Sequence, residues 1–330
     1  MTVKITIVGL GQIGTSVGLA LSEHKDLVHR TGHDREIGIA RRAEKAGALD
    51  KVMINLPSAV RDADLVLLSL PMDQIRETIS VVAPDLKEGA VLMDTGPVKE
   101  VVASWAEELL PDGRYYVGLT PVLNPAYLYG TDFGVDAARQ DMFRGGLIAI
   151  VSPSNTPSEA IKLAADLTRL LGADPFFADP LEMDGLMAYT HILPQLMAAS
   201  LLNATVDQPG WNEGRKVAGR SYAEATLPIV NPTSPETLAA SALLNHENVA
   251  RVIDGLVASL QAIRDDIKAN DRDMLLERLK RARESQGKWW QQRQTANWMG
   301  EEIPATDLPK ASDWFGGHRP PNPTTIPRTA

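Results

Sequence analysis

Gly9-Leu10-Gly11-Gln12-Ile13-Gly14 has the residue types and G-x-G-x-x-G spacing of a loop that holds a pyrophosphate. Gly9 permits a tight turn, Gly11 lets phosphate oxygens approach the backbone, and Gly14 lets a helix pack closely on a strand. Gln12 and Ile13 would open that helix, whose free N–H groups and partial positive charge suit an anion. Asp34, twenty residues beyond Gly14, is placed to accept hydrogen bonds from the adenosine ribose. A carboxylate there favours NAD, because it would repel a 2′-phosphate. Arg35, with Arg41 and Arg42 further on, leaves NADP open.

The elements needed to position these residues are legible as well. Val3 to Val8 is a β-branched run of the kind that forms a buried strand, and the apolar positions Ile13, Val17, Ala20 and Leu21 continue it as a helix. Glu36 to Gly47, Asp73 to Val82 and Val98 to Leu110 read as helices. Ala63 to Pro71, Ala90 to Asp94, Tyr115 to Leu119 and Gly146 to Val151 read as strands. This alternation predicts an α/β fold of Rossmann type, with a doubly wound, mostly parallel sheet. The ligand should lie beyond the carboxyl ends of the strands, at Leu70-Pro71 and Thr95-Gly96, where the nicotinamide would sit.

After a helix from Glu159 to Leu171 and a short strand from Pro175 to Ala178, the pattern turns wholly helical. Leu181 to Ala204, Ser234 to Ala269 and Arg272 to Trp298 are the main segments. The expected organisation is a dinucleotide-binding domain over 1–178 and an all-helical substrate and dimerisation domain over 179–300. Residues 301–330 form a proline-rich tail, expected to be ordered by packing against the body or a second subunit. Helical domains of this kind often pair about a two-fold axis, so a homodimer is expected.

At 330 residues the chain has room for two cores. A net charge of −9 argues against nucleic acid as the main partner. No apolar stretch is long enough to cross a bilayer, and no signal peptide is seen before the first strand, so a cytoplasmic enzyme with a small-molecule substrate is expected. With no cysteine there is no thiolate nucleophile and no Cys-ligated metal. His29 and His33 have the i, i+4 interval of a metal pair but fall on a strand and its exit rather than a helix, so no metal is expected.

With these motifs in order, the sequence resembles the prephenate/arogenate dehydrogenase family over about residues 3–295. Gly9–Gly14, Gly32-His33-Asp34-Arg35 and Ala63–Pro71 carry the resemblance in the nucleotide half. Asp94-Thr95-Gly96-Pro97-Val98-Lys99 is similar to the family's D-x-G-S-x-K, Val117-Gly118-Leu119-Thr120-Pro121 to its V-G-x-H-P, and Asp184 to Pro194 to its H-D…S-H-L-P helix. The resemblance implies oxidative decarboxylation in tyrosine biosynthesis. Hydride leaves the carbinol carbon of a cyclohexadienyl substrate for the nicotinamide, and the ring aromatises as carbon dioxide departs.

The resemblance breaks where the chemistry should lie. Thr120 stands at the position of the family's polarising histidine, Pro97 at that of its supporting serine, and Val122-Leu123-Asn124 replaces M-A-G. Counted without gaps from Asp184, His191 is displaced by one residue, about 100° around an α-helix. Thr120 is either a substrate contact or a structural turn before Pro121. His191, the best remaining general base, is otherwise a buried histidine satisfied by a backbone carbonyl. Lys99 at a helix start is a site residue or a solvated lysine. Asp184 orients His191 or caps its helix. Arg220 is the nearest candidate for the family's substrate-binding arginine. Asn245 falls near an asparagine that faces the family's site, Asn124 is a further substrate-side candidate, and Tyr189 reads as core. The leading expectation is a dehydrogenase of this class with an altered active site. The alternatives are turnover of another small keto acid or imine, and cofactor binding without turnover.

Overall fold

The computed structural model describes residues 2–130, 132–230 and 233–296. The expected tail and the end of the last predicted helix at Trp298 lie outside them. The chain opens with β1 (Val3–Val8), α1 (Gln12–Ala20), β2 (Val28–His33), α2 (Ile37–Lys45), β3 (Lys51–Val52) and α3 (Leu56–Val60). It continues with β4 (Leu65–Leu68), α4 (Met72–Val82), β5 (Val91–Asp94), α5 (Glu100–Leu109), β6 (Tyr115–Val122), β7 (Leu147–Val151), α6 (Ser158–Leu170) and β8 (Asp174–Ala178). The strands form one eight-stranded sheet in the order β3-β2-β1-β4-β5-β6-β7-β8. All neighbours are parallel except β6 and β7. The strand order reverses between β1 and β4, a crevice that ligands of open α/β sheets occupy.

Strand alternation sends side chains to opposite faces of the sheet. Ile5, Ile7, Leu67, Met93, Val117, Leu119 and Ile150 belong to the cluster that includes α1 and α6. Val66, Leu68, Leu92 and Tyr116 belong to the one that includes α4 and α5. The short β3 and α3 are elements that periodicity did not reveal. They are too brief to show a pattern.

The helical half comprises α7 (Pro180–Met187), α8 (Leu193–Val206), α9 (Trp211–Val217), α10 (Arg220–Thr226), α11 (Pro235–Leu244), α12 (His246–Lys268) and α13 (Arg272–Thr295). Two expected helices are broken. The segment read as one helix from Ser234 to Ala269 divides at Asn245, whose backbone (φ −119°, ψ 35°) leaves the helical region. Apolar residues continue across the break, so the period alone concealed it. The segment from Leu181 to Ala204 contains a π-turn, Ala188–Ile192, in which the Leu193 N–H reaches back to the Ala188 carbonyl. Pro194 follows immediately, with no N–H to give and a ring that crowds the preceding turn, and such widened turns are one way a helix accommodates it. A π-turn absorbs an extra residue. The 100° displacement of His191 assumed an unbroken α-helix and no longer follows. Tyr189, expected in the core, is 48% exposed.

Residues Met1–Arg278 form one compact unit, and a second begins within α13 at Leu279. In the second unit the rings of Trp289 and Trp290 lie 5.9 Å apart. No described helix is long and apolar enough to cross a membrane.

Candidate active site

The glycine loop joins β1 to α1 at the strand-order reversal. Gly9 has φ +89°, and a Cβ there would sit 2.3 Å from the Ser69 carbonyl oxygen. A Cβ on Gly14 would lie 2.0 Å from the Gly9 carbonyl oxygen, whereas one on Gly11 would meet nothing within 4 Å. Two glycines are therefore required by the protein's own packing, and the third faces open space. Gly11 caps α1 with no side-chain acceptor, so the helix start presents its N–H groups to that space. Asp34 Oδ2 accepts the Leu10 N–H at 2.8 Å and Oδ1 accepts the Glu36 N–H at 2.9 Å, which ties the acid to the glycine loop. Leu70, Pro71, Thr95 and Gly96 follow β4 and β5 at the same edge of the sheet, and the Thr95 N–H donates to the Leu68 carbonyl. These residues fit a dinucleotide: backbone N–H groups for the pyrophosphate, and a carboxylate for the ribose. Arg41 is paired with Glu44 and Arg42 with Asp136. Arg35 is exposed. Gln12 donates to the Ala137 carbonyl at 3.4 Å, and Ile13 packs against the core.

Beside this open edge lies a closed polar cluster. Asp94, the last residue of β5, is fully buried. Its Oδ2 accepts the Gly96 N–H at 2.6 Å and Lys99 Nζ at 2.9 Å, and its Oδ1 accepts the Tyr116 hydroxyl at 2.6 Å. Lys99 is therefore neither solvated nor open to a ligand. Its ammonium is buried and committed to Asp94. Burial pulls the Lys99 pKa below its usual value even though Asp94 opposes this. The Tyr116 hydroxyl is pushed well above the usual range, by burial first and then by Asp94. Gly118 makes room for the cluster, because a Cβ there would approach Lys99 Cδ and the Tyr116 hydroxyl to 2.8 Å each.

Asp184 reaches into the cluster from α7. Its Oδ1 accepts the Lys99 N–H at 2.5 Å and its Oδ2 the Glu100 N–H at 3.1 Å. It therefore caps α5 rather than its own helix or His191. Burial raises its pKa to about 6 against the pull of those two N–H groups and Lys99. Asn245 donates to the Asp184 carbonyl at 2.8 Å and accepts from Asn248 at 2.9 Å, so both ends of its amide are spent within the protein. Asn124 is likewise spent, on the Asp141 carbonyl and the Ala126 N–H. Arg220 is not gathered to the cluster. Its side chain is 89% exposed and paired with Glu224.

Thr120 and His191 differ from these. Thr120 is 5% exposed, and its Oγ1 has no hydrogen-bond partner among the described residues. It lies opposite Ala149 across the β6–β7 ladder, on the sheet face where Ala149 and Val151 pack with Met183, Leu186 and Met187 of α7. His191 lies in the π-turn, and burial holds its imidazole below the usual pKa, so it is neutral near pH 7. Asp94, Tyr116 and Gln195 were missed by sequence reasoning. Only Asp94 carried a signal, as the first residue of the D-x-G-S-x-K-like stretch.

A glycine loop at a helix start, beside a strand-order reversal, defines a dinucleotide-binding α/β protein whose chain continues into a helical half. The model of the prephenate dehydrogenase nucleotide-binding domain matches residues 17–175, and that of the prephenate dehydrogenase dimerization domain matches residues 179–281. The chain belongs to the prephenate dehydrogenase family, and it is an oxidoreductase of the dehydrogenase class. It is 27% identical to the cyclohexadienyl dehydrogenase of Zymomonas mobilis over 285 residues, covering 85% of this chain and 94% of that protein. It is 23% identical to the prephenate dehydrogenase of Bacillus subtilis, covering 85% and 74% respectively. The crystal structure of prephenate dehydrogenase from A. aeolicus, in complex with hydroxyphenyl propionate and NAD+, shares the fold with a TM-score of 0.75. That similarity is at 22% identity and covers 87% of this chain and 98% of the other. Synechocystis arogenate dehydrogenase shares the fold at a TM-score of 0.69 and 20% identity, over 87% and 99% of the two chains.

Proposed function

We propose that the protein is an NAD-dependent dehydrogenase that decarboxylates prephenate or arogenate oxidatively, as a homodimer, and that its active site has exchanged a base for a hydroxyl. Family membership supports the reaction class. The observation that carries the altered site is the buried, unpartnered Thr120 hydroxyl at the position the family gives to a histidine.

Gly9, Gly11, Gly14 and the start of α1 would hold the pyrophosphate, and Asp34 the ribose. When bound, NAD supplies the two-electron acceptor for a reaction in which the carbinol C–H is lost as hydride, the C–CO₂ bond breaks and its electrons aromatise the ring. The ring hydroxyl keeps its proton in the phenol product, so no net proton has to be removed. An acceptor that polarises the O–H is enough, and Thr120 Oγ1 or the neutral imidazole of His191 can provide it. Where Thr120 replaces the family's histidine as the acceptor, the weaker group is expected to lower turnover by up to about 10²–10⁴-fold. Lys99 and Asp184 act at one remove, by fixing the loop between β5 and α5.

The test is nicotinamide reduction by the purified chain with prephenate or arogenate, for the wild type and Thr120→Val. The variant is expected to lose about 10- to 100-fold in kcat while remaining as stable as the wild type or more so, because it removes an unpartnered buried hydroxyl. Unchanged kcat would refute the role of Thr120. No turnover by the wild type, with NAD bound, would refute the reaction.

A further inference from the structure

A second buried polar atom lies one residue beyond the Asp184–Pro194 segment that resembles the family's H-D…S-H-L-P helix. Gln195, on the first turn of α8, is 5% exposed. Its Nε2 donates to the His191 carbonyl at 2.9 Å. Only the NH₂ end of an amide can face a carbonyl, so this bond fixes the orientation of the side chain. Its Oε1 has no partner among the described residues. A buried carbonyl oxygen without a donor is costly, and such atoms in native proteins call for an explanation. The helix that leads to it crosses the sheet face carrying Thr120, through the contacts of Met183, Leu186 and Met187 with Ala149 and Val151.

We propose that Gln195 is a specificity-determining residue whose Oε1 accepts a hydrogen bond from the substrate's side-chain ammonium, so that the site selects arogenate over prephenate. The inference rests on the reaction proposed above. The two substrates differ at one group, an ammonium in arogenate where prephenate has a ketone. An amide oxygen is an acceptor only. It meets an ammonium favourably and a ketone oxygen with repulsion. Arg220, the guanidinium expected to recognise the substrate, is at the surface on Glu224, so it does not offset that preference. Thr120 Oγ1 is left to the ring hydroxyl at the other end of the molecule. The two unpartnered atoms then divide the substrate between them.

The test measures kcat/KM for arogenate and prephenate with NAD, using the full chain as wild type, Gln195→Leu and Gln195→Glu. The wild type is expected to prefer arogenate. Gln195→Leu should lower kcat/KM for arogenate by about 10- to 100-fold, mainly through KM, and leave prephenate within about threefold. Gln195→Glu keeps an acceptor, so it should retain arogenate turnover and lower prephenate further. It also provides a second reading if the leucine variant does not fold. A wild type that prefers prephenate, or variants that weaken both substrates equally, would overturn the assignment while leaving the reaction standing. A wild type that turns over neither substrate would overturn the reaction and the assignment with it.

Discussion

The nucleotide edge and the buried polar cluster beside it are built on opposite principles. At the nucleotide edge the working groups are backbone N–H groups, and the side chains matter by being absent: Gly9 and Gly14 are demanded by close carbonyls, Gly11 by the space in front of it. In the polar cluster beside it the groups are buried side chains that hold one another, with Asp94 at the centre of three donors. The first kind of site is set by glycines at short spacing and by one acid, Asp34, tied to the loop. The second depends on partners far apart in the chain, and its chemistry can change when one of them does.

The largest effect should come from breaking the hub. Asp94→Ala leaves the Lys99 ammonium buried without its counter-charge, and removing one partner of a buried pair costs about 3–5 kcal/mol. Urea unfolding of the variant should show this, or the chain should fail to fold. A loss below about 1 kcal/mol would mean that Lys99 finds another partner or sheds its proton, and that the cluster is not the rigid element inferred here.

The contrast explains what the sequence could and could not disclose. The glycine loop, Asp34 and the strand ends at Leu70 and Thr95 were readable because a backbone site is encoded by residue type at short spacing. Asp94 was not readable as a hub, since its donors come from two, five and 22 positions away. Asp184 was read as a partner of its own helix, but the N–H groups it accepts are 84 and 85 positions distant. Asn124 and Asn245 were chosen by position in a resemblance. Each spends its amide oxygen on a residue two or three positions on and its NH₂ on a carbonyl 17 or 61 positions away. The π-turn around His191 was hidden for a related reason, since apolar spacing cannot distinguish a helix with one extra residue from a regular one.

Within the loop, the two kinds of glycine can be separated. Gly14→Ala drives a Cβ against the Gly9 carbonyl, so it should destabilise the fold by about 3 kcal/mol. Gly11→Ala meets nothing and should melt like the wild type, yet weaken NAD by about tenfold or more by obstructing the phosphates. Calorimetric titration with NAD beside thermal unfolding checks both. A Gly11→Ala variant that binds NAD normally would put the pyrophosphate elsewhere.

Asp184 tests the buried cluster by pH. Its pKa in the folded protein is about 6, above the value of about 3.9 for an unfolded chain. Between those values the folded state keeps a proton that the unfolded state has lost. The unfolded chain then binds fewer protons, so the stability due to this group, present in full below about pH 4, falls as pH rises to about 6 and is level above that. The loss is on the order of 3 kcal/mol. Asp50 and Asp64, held below the usual carboxylate range by Arg30 and by Lys4 and Lys87, work in the opposite sense and at lower pH. The difference between wild type and Asp184→Asn therefore isolates the term. The wild type should lose stability relative to the variant from pH 4 to 6 and run parallel to it above. Parallel curves throughout would mean that the two N–H groups of α5 outweigh burial and keep the carboxylate ionised, in which case Asp184 would be a rigid cap with no titration near neutrality.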